Sequence, residues 1–257
     1  MMSDILTKDV VKKQIKVNGF VVEHNNAVSA EQTIEEIFGD LAYKFFSESE
    51  SPFIIDAGSN IGIATLFFKE IYPNAKVLCF EPDAAAFELL KANMLNNKIT
   101  NVDLINAATA KADGEIEFFG QMFVDMPDIR GNSIIDSWGL QRKVSNKTTV
   151  KAVRLSSYVD REVDFLKLDI EGAEQQVLVE LEQAGKLKFI KEIAIEGHET
   201  DQMMGINDVS KIVDLLERNS FSVHVIEKNI MDMLPEQVSA WAKKMQPRLF
   251  DIRAVRG

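Results

Sequence analysis

The stretch Phe53 to Phe68, FIIDAGSNIGIATLFF, decides how the rest of the chain is read. It opens with a bulky apolar run, breaks at Asp56-Ala57-Gly58-Ser59-Asn60, and resumes as apolar residues at helical spacing. The pattern predicts a buried strand over 53–57, a glycine turn and a helix over 60–71. Such a turn lets a ligand approach the backbone, and a helix N-terminus favours negative charge. Several nucleotide-like cofactors use this geometry, so the chemistry of the turn has to choose among them.

Outward from the turn, strands and helices alternate. KVLCFE (76–81) reads as a strand, and Asp83 caps a helix running to Asn97. VDLINAA (102–108) and DFLKLDI (164–170) read as strands, and a helix follows from about Ala173 to Ala184. FIKEIAIE (189–196) is a further strand, then a helix around 208–218 and strands near 221–227 and 248–255. This alternation predicts an α/β, Rossmann-like fold with a mostly parallel, doubly wound sheet and an antiparallel C-terminal strand. Residues 1–51 read as a cap. KQIKVNGFVVEH alternates around Asn18-Gly19, a hairpin signal, and Ser29 to Gln32 fits a capping box. Ile34, Ile37, Phe38, Leu41, Ala42 and Phe45 follow at helical spacing. Residues 52–257 form the main domain. Its rhythm breaks at an insertion of about 120–148, irregular and rich in turn residues, with Met122, Phe123, Met126 and Trp138 placed to line a pocket or pack locally.

Composition narrows the partners. The chain has 257 residues, 29 basic against 40 acidic, for a formal charge of −11. That argues against a nucleic-acid substrate, since phosphate contacts rest on Lys and Arg. There is no apolar run of membrane-spanning length, and the N-terminus lacks the apolar core of a signal peptide. Cys79 is the single cysteine, set in an apolar strand, so a reducing cytoplasm is expected and the thiol is a core residue.

Three features separate the candidate ligands of the turn. A phosphate-cradling loop needs Gly-Lys-Ser/Thr, and no Lys is present. A dinucleotide turn reads G-x-G-x-x-G, whereas this one is Gly58-Ser59-Asn60-Ile61-Gly62. Asp56 precedes the first glycine and can pair with a cationic ligand. Glu81 ends the next strand, where a carboxylate takes both hydroxyls of a ribose. An acid before the turn, small residues in it and an acid on the next strand suit S-adenosylmethionine. The alternative is that Asp56 and Glu81 are capping or ion-paired carboxylates.

DAGSNIGIAT, CFEPD and FLKLDIEGAEQQVL together resemble the FkbM-type methyltransferases over roughly Phe53 to Glu199. The resemblance implies a class I methyltransferase fold, S-adenosylmethionine as methyl donor and O-methylation of a small molecule, sugar or glycan. It further implies that Asp56, Gly58, Asn60 and Gly62, with Ser59 between them, surround the methionine part of the cofactor. Glu81 would hold the ribose, and Asn106 and Ala107 would lie near the adenine. Arg130 to Ile134 faintly resembles a Ser-containing family segment that could bring Asn132 or Ser133 to the site. Asp169-Ile170-Glu171-Gly172 stands where enzymes that methylate base amino groups carry an Asn/Asp-Pro-Pro-Tyr type segment.

In an open parallel sheet the site lies beyond the carboxyl ends of the strands. Two loaded ends are expected there. One is Lys167 to Gly172, which places Asp169 toward cofactor and acceptor, with Glu171 and Glu174 as active-site acids or as first-turn acids of a helix. The other is Glu196-Gly197-His198-Glu199, where His198, following a strand end, is the expected general base. Asp169, Glu171, Glu196 and His198 could also gather a divalent cation, magnesium or calcium by their hard oxygens. No ligand spacing demands one, and no metal ligands are assigned. A nicotinamide-dependent oxidoreductase and a non-catalytic cofactor-binding protein stand as alternatives. The acceptor is not legible, and homo-oligomerisation is left open.

Overall fold

The computed structural model describes residues 13–120, 131–136, 147–203, 205–229 and 247–257. Met122, Phe123, Met126, Arg130 and Trp138, expected near a pocket, lie outside the described residues.

The described residues begin with a hairpin, β1 (Lys13–Val17) and β2 (Phe20–His24). Asn18 and Gly19 turn it with φ of 45° and 89°, the left-handed values a two-residue hairpin loop requires. Helix α1 (Ala27–Ile34) follows and widens into a π-helical turn, Glu35–Gly39. The expected capping box at Ser29 is not used. Asn26 is the N-cap, its side chain accepting from the Ser29 amide at 3.1 Å, and Ser29 is inside the helix. Leu41, at φ 59°, and Phe45 lie beyond the helix rather than on it.

Then come β3 (Phe53–Ala57), α2 (Ile63–Ile71), β4 (Lys76–Phe80), α3 (Ala84–Asn96) and β5 (Val102–Ile105). The expected strand 102–108 is broken at Asn106. Beyond it, β6 (Ala108–Thr109) joins β7 (Gly114–Phe119) and β8 (Lys147–Val153) in a small separate sheet. The main sheet resumes with β9 (Val163–Leu168), α4 (Glu174–Gln183), β10 (Ile190–Glu199), α5 (Val209–Arg218), β11 (Phe221–Lys228) and β12 (Arg248–Arg256).

The seven-stranded sheet has the order β11-β12-β10-β9-β3-β4-β5. β3 to β4, β4 to β5, β3 to β9 and β9 to β10 pair in parallel, and β12 pairs antiparallel with both β10 and β11. The order reverses between β3 and β9, so a crevice opens at their carboxyl ends. Both faces of the sheet are covered, as β9 shows by being buried at all six positions. One face packs on α4 and α5 through Leu178, Leu181, Ile212 and Leu216. The other carries α2, α3 and the N-terminal residues. Phe45 stacks on Phe165 at 4.4 Å, and Val22, Ala30 and Ile37 share one core with Phe67 and Leu90.

Candidate functional site

The turn after β3 is built by close packing. Gly58 has φ 84°, and a Cβ there would stand 1.7 Å from the Asp169 carbonyl oxygen. Gly62 has φ 90°, and a Cβ would strike Leu90 Cδ1 at 2.6 Å. Glycine is required at both positions by conformation and by space. The amides of this turn are used inside the protein. Gly58 and Ser59 donate to the Phe80 carbonyl at 3.0 and 2.9 Å, and Gly62 donates to the Ser59 carbonyl at 2.8 Å. Asn60 donates to Glu81 Oε2 at 2.8 Å, and Ile61 to Asn60 Oδ1 at 2.7 Å. A turn with its donors so committed has no cradle for a pyrophosphate.

Asp56 does not face the crevice. It is fully buried beneath the turn, accepting from the Thr65 hydroxyl at 2.7 Å and lying 3.5 Å from Lys167 Nζ. Lys167 also lies 3.2 Å from Asp169 Oδ2 and donates to the Gly58 carbonyl at 2.8 Å. Burial alone would lower the Lys167 ammonium, but Asp169 and Asp56 outweigh it and raise it. This buried lysine ties strand, turn and site together. The sequence placed it beside Asp169 without giving it that role, because its partner Asp56 is on a strand more than a hundred residues earlier.

Glu81 stands at the tip of β4 and lines the crevice. Its two oxygens accept from the Asn60 and Asp83 amides at 2.8 and 2.7 Å, which fixes the carboxylate and leaves each oxygen a second lone pair. Burial, only partly opposed by these bonds, pushes its pKa up to about 8. Asn106 is exposed and does not line the crevice. It donates to the Glu81 and Pro82 carbonyls at 2.8 and 3.2 Å and so supports the Glu81 turn from behind. Ala107 does line it, as do Asn132 and Ser133. The Ser133 hydroxyl donates to the Glu171 carbonyl at 2.5 Å, and Asn132 to Asp83 at 3.1 Å.

The crevice has a volume of about 1070 Å³. Its far end gathers Asp169, Glu171, Glu196 and His198, the four residues expected to carry chemistry. His198 lies inside β10 rather than after it. Antiparallel pairing with β12 extends the strand through Gly197 to Glu199, and a Cβ on Gly197 would crowd Ile252 and Val209 at 3.3 Å. The imidazole is buried, 3.1 Å from Glu174, 3.4 Å from Glu196 and 3.5 Å from Glu171. Burial would lower its pKa, but Glu171 and Glu174 outweigh it and hold it well above the ordinary value. Burial lifts the Asp169 carboxyl to about 6 against the pull of Lys167. Glu196, despite burial, is held well below the usual range by His198 and Lys228. Donor atoms of Asp169, Glu196 and His198 all lie within 4.8 Å of one another, close enough to hold a cation.

The N-terminal residues supply a wall that the sequence did not reveal. Glu36 and Tyr43 line the crevice. Lys228 on β11 reaches Glu36 at 2.6 Å, Asp251 at 2.9 Å and Glu196 at 3.3 Å. The Lys167 ammonium lies 5.2 Å over the Tyr43 ring.

The strand order, the antiparallel β12 and the crevice at the β3/β9 reversal define a class I methyltransferase fold. Residues 56–223 match the family model described as "Methyltransferase FkbM domain", and the chain belongs to that family. It is 26% identical over 250 residues to methyltransferase sdnD of Sordaria araneosa, covering 85% of this chain and 91% of that protein. It is 24% identical over 190 residues to 2-O-methyltransferase NoeI of Sinorhizobium fredii, covering 66% and 72%. Among solved structures, M. jannaschii TYW2 in complex with AdoMet superposes with a TM-score of 0.47 at 16% identity, covering 96% of this chain and 87% of that one. No helix among the described residues is long and apolar enough to cross a membrane.

Proposed function

We propose that the protein transfers a methyl group from S-adenosylmethionine to a hydroxyl oxygen of a small molecule, sugar or glycan. S-adenosylmethionine supplies a methyl carbon already activated by its sulfonium. The observation that carries the reading is a glycine turn whose amides are spent, set beside the fixed Glu81 carboxylate. That pair suits a ribose and a cationic centre, and it suits a dinucleotide pyrophosphate poorly.

In this reading each Glu81 oxygen accepts one ribose hydroxyl. Gly58, Ser59 and Asn60 form the wall against the methionine part. Ala107 borders the adenine, and Asn106 keeps the Glu81 turn in place. Asp56 and Gly62 act from beneath, through Lys167 and through the packing of α2 on α3. The acidic lining offsets the positive sulfonium. The acceptor takes the other end, between Tyr43, Glu36, Lys228 and Glu196. That wall of ionised and hydroxyl groups matches a polar, hydroxyl-bearing acceptor. The cap of residues 1–51 is thereby part of the acceptor site of the 52–257 domain.

The base role expected of His198 passes to its neighbours. Its Nδ1 is taken up by Glu174 at 3.1 Å and its carbonyl by Asn207 at 2.7 Å, so the ring positions rather than accepts. The acceptor's proton goes to Asp169 or Glu171 as the oxygen–carbon bond forms and the carbon–sulfur bond breaks. A single buried Cys79 and the formal charge of −11 favour a reducing, cytoplasmic setting and a non-nucleic-acid acceptor. A screen with methyl-labelled donor over free sugars, glycans, hydroxylated small molecules and RNA tests the acceptor class. Label in an ether linkage is expected, and label transferred to RNA or to an amine contradicts the reading.

A further inference from the structure

Glu174 is more than a first-turn acid of α4. It is fully buried, and its Oε1 accepts from the Ile170 and Gly172 amides at 3.2 and 3.0 Å while meeting His198 Nδ1 at 3.1 Å. Its Oε2 accepts from Asn207 Nδ2 at 2.6 Å, and Asn207, also fully buried, donates to the His198 carbonyl at 2.7 Å. The imidazole is therefore held at one nitrogen and its backbone together, and Nε2 is aimed one way. It points at Glu196 Oε2, 3.4 Å away, and Glu171 Oε2, 3.5 Å away.

These separations are informative. A charge-assisted hydrogen bond closes to about 2.7–2.9 Å. Adjacent ligands around an octahedral ion held at about 2.1–2.4 Å stand about 3.0–3.4 Å apart, and opposite ones about 4.2–4.8 Å. The distances to Nε2, 3.4 and 3.5 Å, exceed the first range and stand at the upper end of the second. A buried carboxylate on the other imidazole nitrogen is the arrangement that orients a metal-ligating histidine. Lys228 approaches Glu196 through Oε1, leaving Oε2 on the histidine side.

We propose that Asp169, Glu196 and the Nε2 of His198 form a divalent-cation site at the acceptor end of the crevice, with Glu174 and Asn207 as its positioning residues. Mixed carboxylate and imidazole ligands suit a first-row divalent ion such as Mn²⁺. Resting on the O-methylation reading, the ion would bind the acceptor oxygen as a Lewis acid and ease loss of its proton to Glu171.

Mn²⁺ is the probe. Electron paramagnetic resonance titration of the full chain is expected to give one bound Mn²⁺ with hyperfine coupling to an imidazole nitrogen. Binding weakens about 10-fold or more in Glu196→Gln and in Glu174→Gln, each checked for a cooperative melt. Mn²⁺ raises the Tm of the wild type and leaves that of Glu196→Gln unmoved. No uptake at millimolar Mn²⁺, a bound ion without nitrogen coupling, or equal binding by the variants overturns the site. The nitrogen coupling is read on the wild type and stands even if a variant fails to fold. A parallel titration of the wild type with S-adenosylhomocysteine separates the two claims. Cofactor binding without Mn²⁺ removes only the metal site, whereas no cofactor binding removes the methyltransferase reading whatever the ion does.

Discussion

Asp56 and Lys167 show how much of the site is held from underneath. A carboxylate with no exposure and an ammonium at 3% are stable only as partners. Lys167→Met leaves Asp56 buried beside no cation and Asp169 without its neighbour. It should cost about 3–5 kcal/mol in urea denaturation, and a loss below about 1 kcal/mol would show that the lysine is not the tie described. Gly58→Ala carries a comparable penalty, on the order of 3 kcal/mol or more, because φ 84° and the Asp169 carbonyl at 1.7 Å act together. Glu81 gives a pH signature. Folding raises its pKa to about 8, so the folded state holds the proton more tightly than the unfolded one. Stability linked to that proton is full below the ordinary carboxylate pKa and falls as pH rises through about 8. The Tm gap between Glu81→Gln and the ligand-free wild type should therefore widen from about pH 5 to about pH 8 and then level. A gap independent of pH contradicts the burial of an ionisable Glu81.

At the scale of elements, the cap is fastened by asparagines on α3 and at its C-terminal end. Asn93 is fully buried, accepts from the Glu23 amide at 2.6 Å, and donates to the Glu23 and Ile61 carbonyls at 3.0 and 2.8 Å. Asn97 accepts from the Val21 amide and donates to its carbonyl, each at 2.8 Å. Asn93→Ala strands three buried backbone groups and should cost about 2 kcal/mol or more. Hydrogen exchange at Val21 and Glu23 should quicken well before the main sheet opens, and unchanged protection there would sink the fastening role. What was legible in the sequence was local. The strand-turn-helix around Gly58, the strand ending at Glu81 and the hairpin at Asn18-Gly19 are patterns of adjacent residues. What was hidden depends on partners far along the chain. His198 was read as following a strand end because Gly197 looks like a break, yet pairing with β12 carries the strand onward. Ser29 had a capping-box spacing, but Asn26 captured its amide first. Asn106 looked like a ligand contact, and its role is to hold the carbonyls of residues 81 and 82.

The whole molecule divides its crevice by chemistry. The end at Glu81 and the glycine turn is shaped by backbone and one fixed carboxylate. The end at Glu196 and His198 is ionic, assembled from β9, β10, β11, β12 and the N-terminal residues. The first end is built from adjacent residues, and it was readable from motifs. The second depends on how distant segments close over the sheet, which explains why the family was legible and the acceptor was not. The central claim is that the first end holds S-adenosylmethionine. The measurement that tests it most directly is calorimetric titration with S-adenosylhomocysteine, with NAD as control, on the wild type and on Glu81→Ala. The account predicts micromolar binding, on the order of −8 kcal/mol, lost in the variant and absent for NAD. No binding of S-adenosylhomocysteine to the folded wild type, or binding indifferent to Glu81, would contradict it.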